Sequence, residues 1–223
     1  MSEQLFDNAE VLARYAADRV AELCRDAVDR SGVCHLVLAG GSTPKRSYEL
    51  LRDMNLPWPS LHIWFGDERC LPAGDSERND TMADEALLKH VPVPPEQIHR
   101  IPAELGPEVS ADIYAEQLAE TPVMDVALLG MGEDGHTASL FPDNPALQDK
   151  RLAVPVYDSP KPPSERVSMG YAVLNTARHR ILMVTGSGKT DALTRIRAGE
   201  QLPIAAIADG EWLVDRDAMG ATA

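Results

Sequence analysis

The 223-residue sequence predicts an α/β protein in which helices are layered on both faces of a mainly parallel sheet. Three observations point there. Short, almost wholly apolar runs recur along the chain, amphipathic helical patterns alternate with them, and glycine-rich turns follow several of the runs. A run that is apolar at every position, rather than at every second one, suits a strand buried on both faces, which is the parallel case.

The elements follow in order. Residues 8–30 place Val11, Leu12, Tyr15, Ala16, Val20, Leu23 and Val28 at roughly helical spacing with charges between, and Gly32 stops that helix. Residues 33–39 form the first buried strand, with others expected at 61–65, 124–129, 181–185 and 204–208. Helices are expected between them at 44–54, 78–90, 109–119 and 189–198. Residues 151–173 break the alternation. There Ala153-Val154-Pro155-Val156-Tyr157 and Arg166-Val167-Ser168-Met169-Gly170-Tyr171 read as an antiparallel or edge pair around a Pro-rich loop at 159–164. That loop is too short to link domains, no repeat is visible, and residues 1–223 are read as one domain.

A hydrophobic fraction of 44% supplies enough apolar side chains for a buried core. With 35 acidic against 21 basic residues the net charge is -14, which repels nucleic acid and anionic membranes, so the expected partner is a small molecule. Any anion must then be captured by a few focused groups. Cys24, Cys34 and Cys70 are odd in number and lack a Cys-x-x-Cys spacing, and no leader or long apolar stretch is evident. The expectation is a cytoplasmic protein.

Four constellations carry chemistry. Gly40-Gly41-Ser42-Thr43-Pro44 follows a buried strand and opens a helix; Ser42 or Thr43 can cap it, Pro44 fits its first turn, and the exposed N–H groups can cradle a phosphate. It lacks the Gly-Lys-Ser/Thr of a P-loop and the spacing of a dinucleotide fingerprint. Gly66-Asp67-Glu68-Arg69 ends another strand and offers a base or orienting carboxylate, with Arg69 as an anion or carbonyl clamp. In Gly130-Met131-Gly132-Glu133-Asp134-Gly135-His136, three glycines build a tight loop from which His136 emerges beside Asp134. Histidine is the side chain best matched to proton transfer near neutral pH. The histidines at 35, 62, 90, 99 and 179 lie in strand or helix patterns and read as core or surface groups, and no His/Cys cluster has metal-ligand spacing. Finally, Arg166 and Lys189 can close a phosphate pocket with charge-assisted bonds.

Ala-Gly-Gly-Ser-Thr-Pro, Trp-Phe-Gly-Asp-Glu-Arg and Gly-Met-Gly-Glu-Asp-Gly-His-Thr-Ala-Ser-Leu-Phe-Pro, in this order, resemble the 6-phosphogluconolactonase family, as does Pro-Lys-Pro-Pro-Ser-Glu-Arg at 160–166. The resemblance spans residues 38–189. It implies the Rossmann-like three-layer α/β/α fold shared with glucosamine-6-phosphate deaminases, and hydrolysis of 6-phosphogluconolactone in the oxidative pentose phosphate pathway without metal or cofactor. It implies His136 as general base, Asp134 and Asp67 as its polar partners, and Arg69 as a further catalytic group. Gly40, Gly41, Ser42, Thr43, Arg166 and Lys189 are expected around the phosphate.

The rival is the deaminase. That family characteristically carries a tyrosine where this chain has Arg69, and Asn-Glu-Pro where this chain has Ser139-Leu140-Phe141-Pro142. A non-catalytic sugar-phosphate sensor would keep the phosphate loop but have no use for a positioned His136.

Overall fold

The computed structural model describes residues 2–121 and 123–220. Its elements run β1 (Ser2–Phe6), α1 (Ala9–Ser31), β2 (Cys34–Leu38), α2 (Ser42–Leu51), β3 (Leu61–Phe65), β4 (Asp67–Arg69), α3 (Asn79–Ala86) and β5 (Ile98–His99). After these come α4 (Pro107–Ala119), β6 (Val126–Gly130), β7 (Ala153–Val156), β8 (Arg166–Met169), α5 (Tyr171–Leu174), β9 (His179–Val184), α6 (Thr190–Arg197) and β10 (Glu211–Asp215).

Seven strands hydrogen-bond in the order β1-β10-β9-β6-β2-β3-β5, every neighbouring pair parallel, and helices flank this sheet as expected. All five residues of β2 are buried, in keeping with its unbroken apolar run. In α1, Asn8 caps the start by accepting from the Val11 N–H at 3.0 Å, and Gly32 ends it. Val11 itself is 45% exposed; the buried stripe is Leu12, Ala16, Val20 and Leu23 with Ala13, Ala17, Ala21, Cys24 and Ala27 beside them. Those short side chains let α2 approach closely enough for Ser47 Oγ to donate to the Ala13 carbonyl at 3.0 Å.

The pair expected at 153–157 and 166–171 is present as β7 and β8, and β4 joins β8 on its other side to make a small antiparallel sheet. The register sets Asp67 opposite Ser168 and Arg69 opposite Arg166. This pairing brings the second and fourth constellations together.

Three expectations are corrected. Residues 204–208 are not a strand. Pro203–Ala206 is a 3₁₀ turn whose apolar side chains pack under the histidine loop, with the Ile204 N–H donating to the Gly135 carbonyl at 3.0 Å. A short apolar run does not distinguish strand from buried turn, and Pro203 favours the turn. The strand lies instead in β10, whose acidic ends, Glu211 and Asp215, mask a buried Trp212-Leu213-Val214 centre. Second, residues 2–6 form a strand although they hold no apolar run: β1 is an edge strand paired only to β10, where one flank needs no burial. Third, neither Ser42 nor Thr43 caps α2. Gly41 is the capping residue at φ 104°, Ser42 and Thr43 are the first helical residues, and no side chain bonds their N–H groups.

Among the described residues no helix is long and apolar enough to cross a membrane, and Cys24, Cys34 and Cys70 are unpaired thiols.

Candidate active site

The loops at the carboxyl ends of β2, β3, β6 and β9 converge on one cavity of about 240 Å³. This is the crevice where open α/β sheets bind ligands, and it is smaller than the clefts of about 300 Å³ and upward that take drug-sized molecules. Gly40, Gly41, Asp67, Arg69, His136, Arg166 and Lys189 all line it. Ser42 and Thr43 line an adjoining depression that shares Gly41 and Lys189 with the cavity. Asp134 is absent from the cavity wall and touches His136 behind it.

His136 Nδ1 lies 2.5 Å from Asp134 Oδ1, and the same oxygen receives the His136 N–H at 3.1 Å. Burial alone would raise the Asp134 carboxyl, but the hydrogen bond and charge of His136 outweigh it and hold the group at about 2. An ionised carboxylate only accepts, so Nδ1 carries a hydrogen, and in the neutral imidazole the lone pair sits on Nε2. Nε2 makes no hydrogen bond among the described residues. The Phe141 ring packs on the imidazole at 4.4 Å between centroids. Gly132 is required by close approach, since a Cβ there would fall 1.9 Å from His136 Nδ1.

Of the adjacent acids, only Asp67 faces the cavity. Alternation along β4 sends Glu68 the other way, where it accepts the backbone N–H groups of Arg69, Asn79 and Asp80 at 2.8 Å each. Burial and the nearby Asp80 push Glu68 up to about 8, against the pull of those three bonds. Beneath it Arg78, 2% exposed, pairs with Asp80 at 2.9 Å and Glu104 at 2.8 Å. Glu68 therefore ties the start of α3 to β4, a structural duty. Asp67 accepts from Ser139 Oγ at 2.6 Å and from Asn79 Nδ2 at 3.1 Å, and makes no hydrogen bond to His136. The group that orients the imidazole is Asp134.

The cationic wall is built by long-range contacts. Arg69 donates from Nη1 to the Glu77 carbonyl at 2.5 Å, while its buried Nε has no partner. Arg166 is buried, and burial lowers its pKa, with Asp67 opposing and Arg69 adding repulsion. Lys189 is also held below its ordinary value, by burial first; Glu133 opposes the shift and Lys161 adds to it. The loop carrying Lys189 is anchored where the Gly186 N–H meets Asp215 at 3.0 Å. Thr43 and Thr185 share a hydroxyl hydrogen bond of 2.6 Å that ties α2 to this loop.

Two cavity residues escaped the sequence reading. Asn79 opens α3, and a Cβ on Gly40 would fall 2.1 Å from its Oδ1, so the Asn79 side chain lies against this turn only because Gly40 is bare. Its place in a charged helical run gave no signal. Lys161 lines the cavity from the Pro-rich loop, where its proline neighbours were the available hint. The remaining histidines keep out of the site. His62 and His99 are hydrogen-bonded at 3.0 Å, His99 stacks on Trp64 at 3.9 Å, and His35 stacks on His62 at 4.8 Å. Among the described residues no group of three or more His, Cys, Asp or Glu side chains is placed to hold a metal ion.

The family model described as glucosamine-6-phosphate isomerases/6-phosphogluconolactonase matches residues 7–214. A relative from Mycobacterium leprae named 6-phosphogluconolactonase is 35% identical, covering 97% of this chain and 96% of its own length. The crystal structure of 6-phosphogluconolactonase from Thermotoga maritima superposes with a TM-score of 0.88 at 26% identity, over 96% of this chain and 99% of that one. A monomeric glucosamine-6-phosphate deaminase shares the fold, with a TM-score of 0.87 at 20% identity over 99% of both chains.

Proposed function

As the chain belongs to the glucosamine-6-phosphate isomerase/6-phosphogluconolactonase family, we propose that it hydrolyses 6-phospho-D-glucono-1,5-lactone to 6-phospho-D-gluconate, the lactonase step of the oxidative pentose phosphate pathway. The observation that carries the reading is the His136–Asp134 pair, which engages Nδ1 and leaves Nε2 without a protein partner among the described residues, at a cavity walled by cations.

A δ-lactone is already an activated ester, so catalysis needs a base, an oxyanion stabiliser and a grip on the substrate. Nε2 of His136 takes a proton from water as its oxygen bonds to C1, and Asp134 stabilises the imidazolium that forms. The carbonyl oxygen becomes an oxyanion, which we assign to the guanidinium of Arg69, a residue of the cavity wall, and to backbone N–H groups of the glycine loops. The tetrahedral centre collapses, the C1–ring oxygen bond breaks, and the imidazolium returns its proton to the leaving oxygen. Free N–H groups of Ser42 and Thr43 at the start of α2, with Gly40 and Gly41 shaping the turn, hold the phosphate together with Arg166 and Lys189. Asp67, fixed by Ser139 and Asn79, shapes the wall between the two ends. No step calls for a metal or nucleotide.

The deaminase reading is disfavoured by Phe141, an apolar ring packed on the imidazole. The acidic exterior and unpaired thiols support a cytoplasmic enzyme that binds a sugar phosphate and no nucleic acid, its residues 1–223 read as one domain. The test generates the lactone in situ and follows acid release, with ammonia release from glucosamine 6-phosphate as control. Wild type should act only on the lactone, and His136→Ala should lose about 10²–10⁴-fold once spontaneous hydrolysis is subtracted. Wild-type turnover by that variant would remove His136 from the mechanism.

A further inference from the structure

Arg166 spends most of its hydrogen-bonding capacity on the Pro-rich loop. Nε donates to the Pro163 carbonyl at 3.1 Å, and Nη2 donates to the carbonyls of Pro162 and Lys161 at 3.0 Å each. A planar guanidinium held by three successive carbonyls fixes the backbone that carries them. Ser159 Oγ adds a fourth tie, to the Lys161 carbonyl at 2.8 Å. The side chain this arrangement presents is that of Lys161, which lines the cavity with Lys189 and adds to the repulsion that Lys189 feels. In a chain of net charge -14, neither lysine pairs with a carboxylate among the described residues, although Arg19, Arg46, Arg78, Arg151 and Arg195 each do. Two ammonium groups that line one cavity, neither in an ion pair among the described residues, are placed to share a dianion bound there.

We propose that Lys161 grips the substrate's phosphate together with Lys189, and that Arg166 is the positioning residue that aims Lys161 by clamping three carbonyls of its loop. The inference rests on the sugar-phosphate reading of the cavity. It assigns Arg166 two duties: Nη1 is left for the ligand, while Nε and Nη2 hold the loop.

The experiment measures binding of 6-phosphogluconate and of inorganic phosphate by calorimetry, alongside steady-state turnover of the phosphorylated and unphosphorylated lactones. Lys161→Ala should weaken 6-phosphogluconate binding and raise KM by about tenfold with kcat nearly kept, while Lys161→Arg restores most of the loss. The loss on unphosphorylated gluconolactone should stay below about twofold. Arg166→Lys keeps the charge but cannot hold three carbonyls, so in that background Lys161→Ala should cost less than about twofold more. Wild type that binds 6-phosphogluconate no better than Lys161→Ala does, or a Lys161→Ala loss of equal size with and without Arg166, overturns the proposal. Wild type that binds neither anion and turns over neither lactone overturns the sugar-phosphate reading, and this proposal with it.

Discussion

Gly132→Ala separates the chemistry from the fold. A Cβ at this position would fall 1.9 Å from Nδ1 and 2.1 Å from Cε1 of His136, and 2.7 Å from Asp134 Oδ1. Ordinary contact needs about 3.5 Å, so the ring must retreat by roughly 1.5 Å or swing out of its bond to Asp134. The backbone accepts alanine, because Gly132 is not among the residues at positive φ. The whole cost then falls on the imidazole. A misplacement of about 1 Å is worth about a hundredfold in rate, and complete loss of a general base about 10²–10⁴-fold. We expect kcat to fall by about 10²–10³ while KM for the phosphorylated lactone stays within about threefold, since the phosphate groups are untouched. Turnover corrected for spontaneous hydrolysis, 6-phosphogluconate binding and thermal unfolding would be measured on one preparation, the last expected to move by only ~2–4 °C. A Gly132→Ala enzyme with wild-type kcat would refute the claim that the Asp134–His136 geometry performs the reaction.

The other predictions concern binding, acid stability and metal dependence. Lys189→Ala should cost about ten- to a hundredfold in kcat/KM on the phosphorylated lactone, mostly in KM, and little on the unphosphorylated one; equal losses on both would misplace the phosphate pocket. Burial, reinforced by His62 and then His35, holds His99 down to about 4 from its ordinary 6.5. The unfolded chain therefore binds this proton first, and the stabilisation from neutral His99, complete above pH 6.5, is lost as pH falls towards 4. The full shift corresponds to about 3 kcal/mol, reduced by solvent screening of a half-open ring to roughly 1–2. Urea midpoints between pH 7 and 4.5 should fall more steeply for wild type than for His99→Gln; parallel curves would contradict this. Dialysis against a chelator should leave turnover intact, and activity that returns only with a divalent ion would sink the metal-free mechanism.

What could be read from the sequence was local. Gly130 to His136 is a contiguous loop, so its close turns and the Asp134–His136 neighbourhood follow from seven adjacent residues. The same holds for the strand–turn–helix at Gly40 to Pro44 and for the unbroken apolar run of β2. Pairings between distant segments were illegible. The β4–β8 ladder joins Asp67–Arg69 to residues about a hundred positions later, and it alone brings Arg69 to Arg166. Lys161 enters the cavity because Arg166 holds its loop, and no periodicity encodes that. The error at 204–208 has the same root. Ile204 is apolar because it supports the histidine loop, and that demand yields the same residue types as a buried strand.

The register that sets Arg69 directly across from Arg166 has a consequence for the lifetime of the enzyme. Two like charges facing each other in an antiparallel ladder oppose folding, and an anion seated between the strands' ends removes that opposition. Under the sugar-phosphate reading, the ligand is thus a missing counter-ion of the native state, and it is bound by the folded chain alone. Ligand at a hundred times its Kd adds about 2.7 kcal/mol to the unfolding free energy. Cells rich in sugar phosphate would then keep this protein longer, because proteases that act on the open form find less of it, and starvation would shorten its life with no dedicated degradation signal.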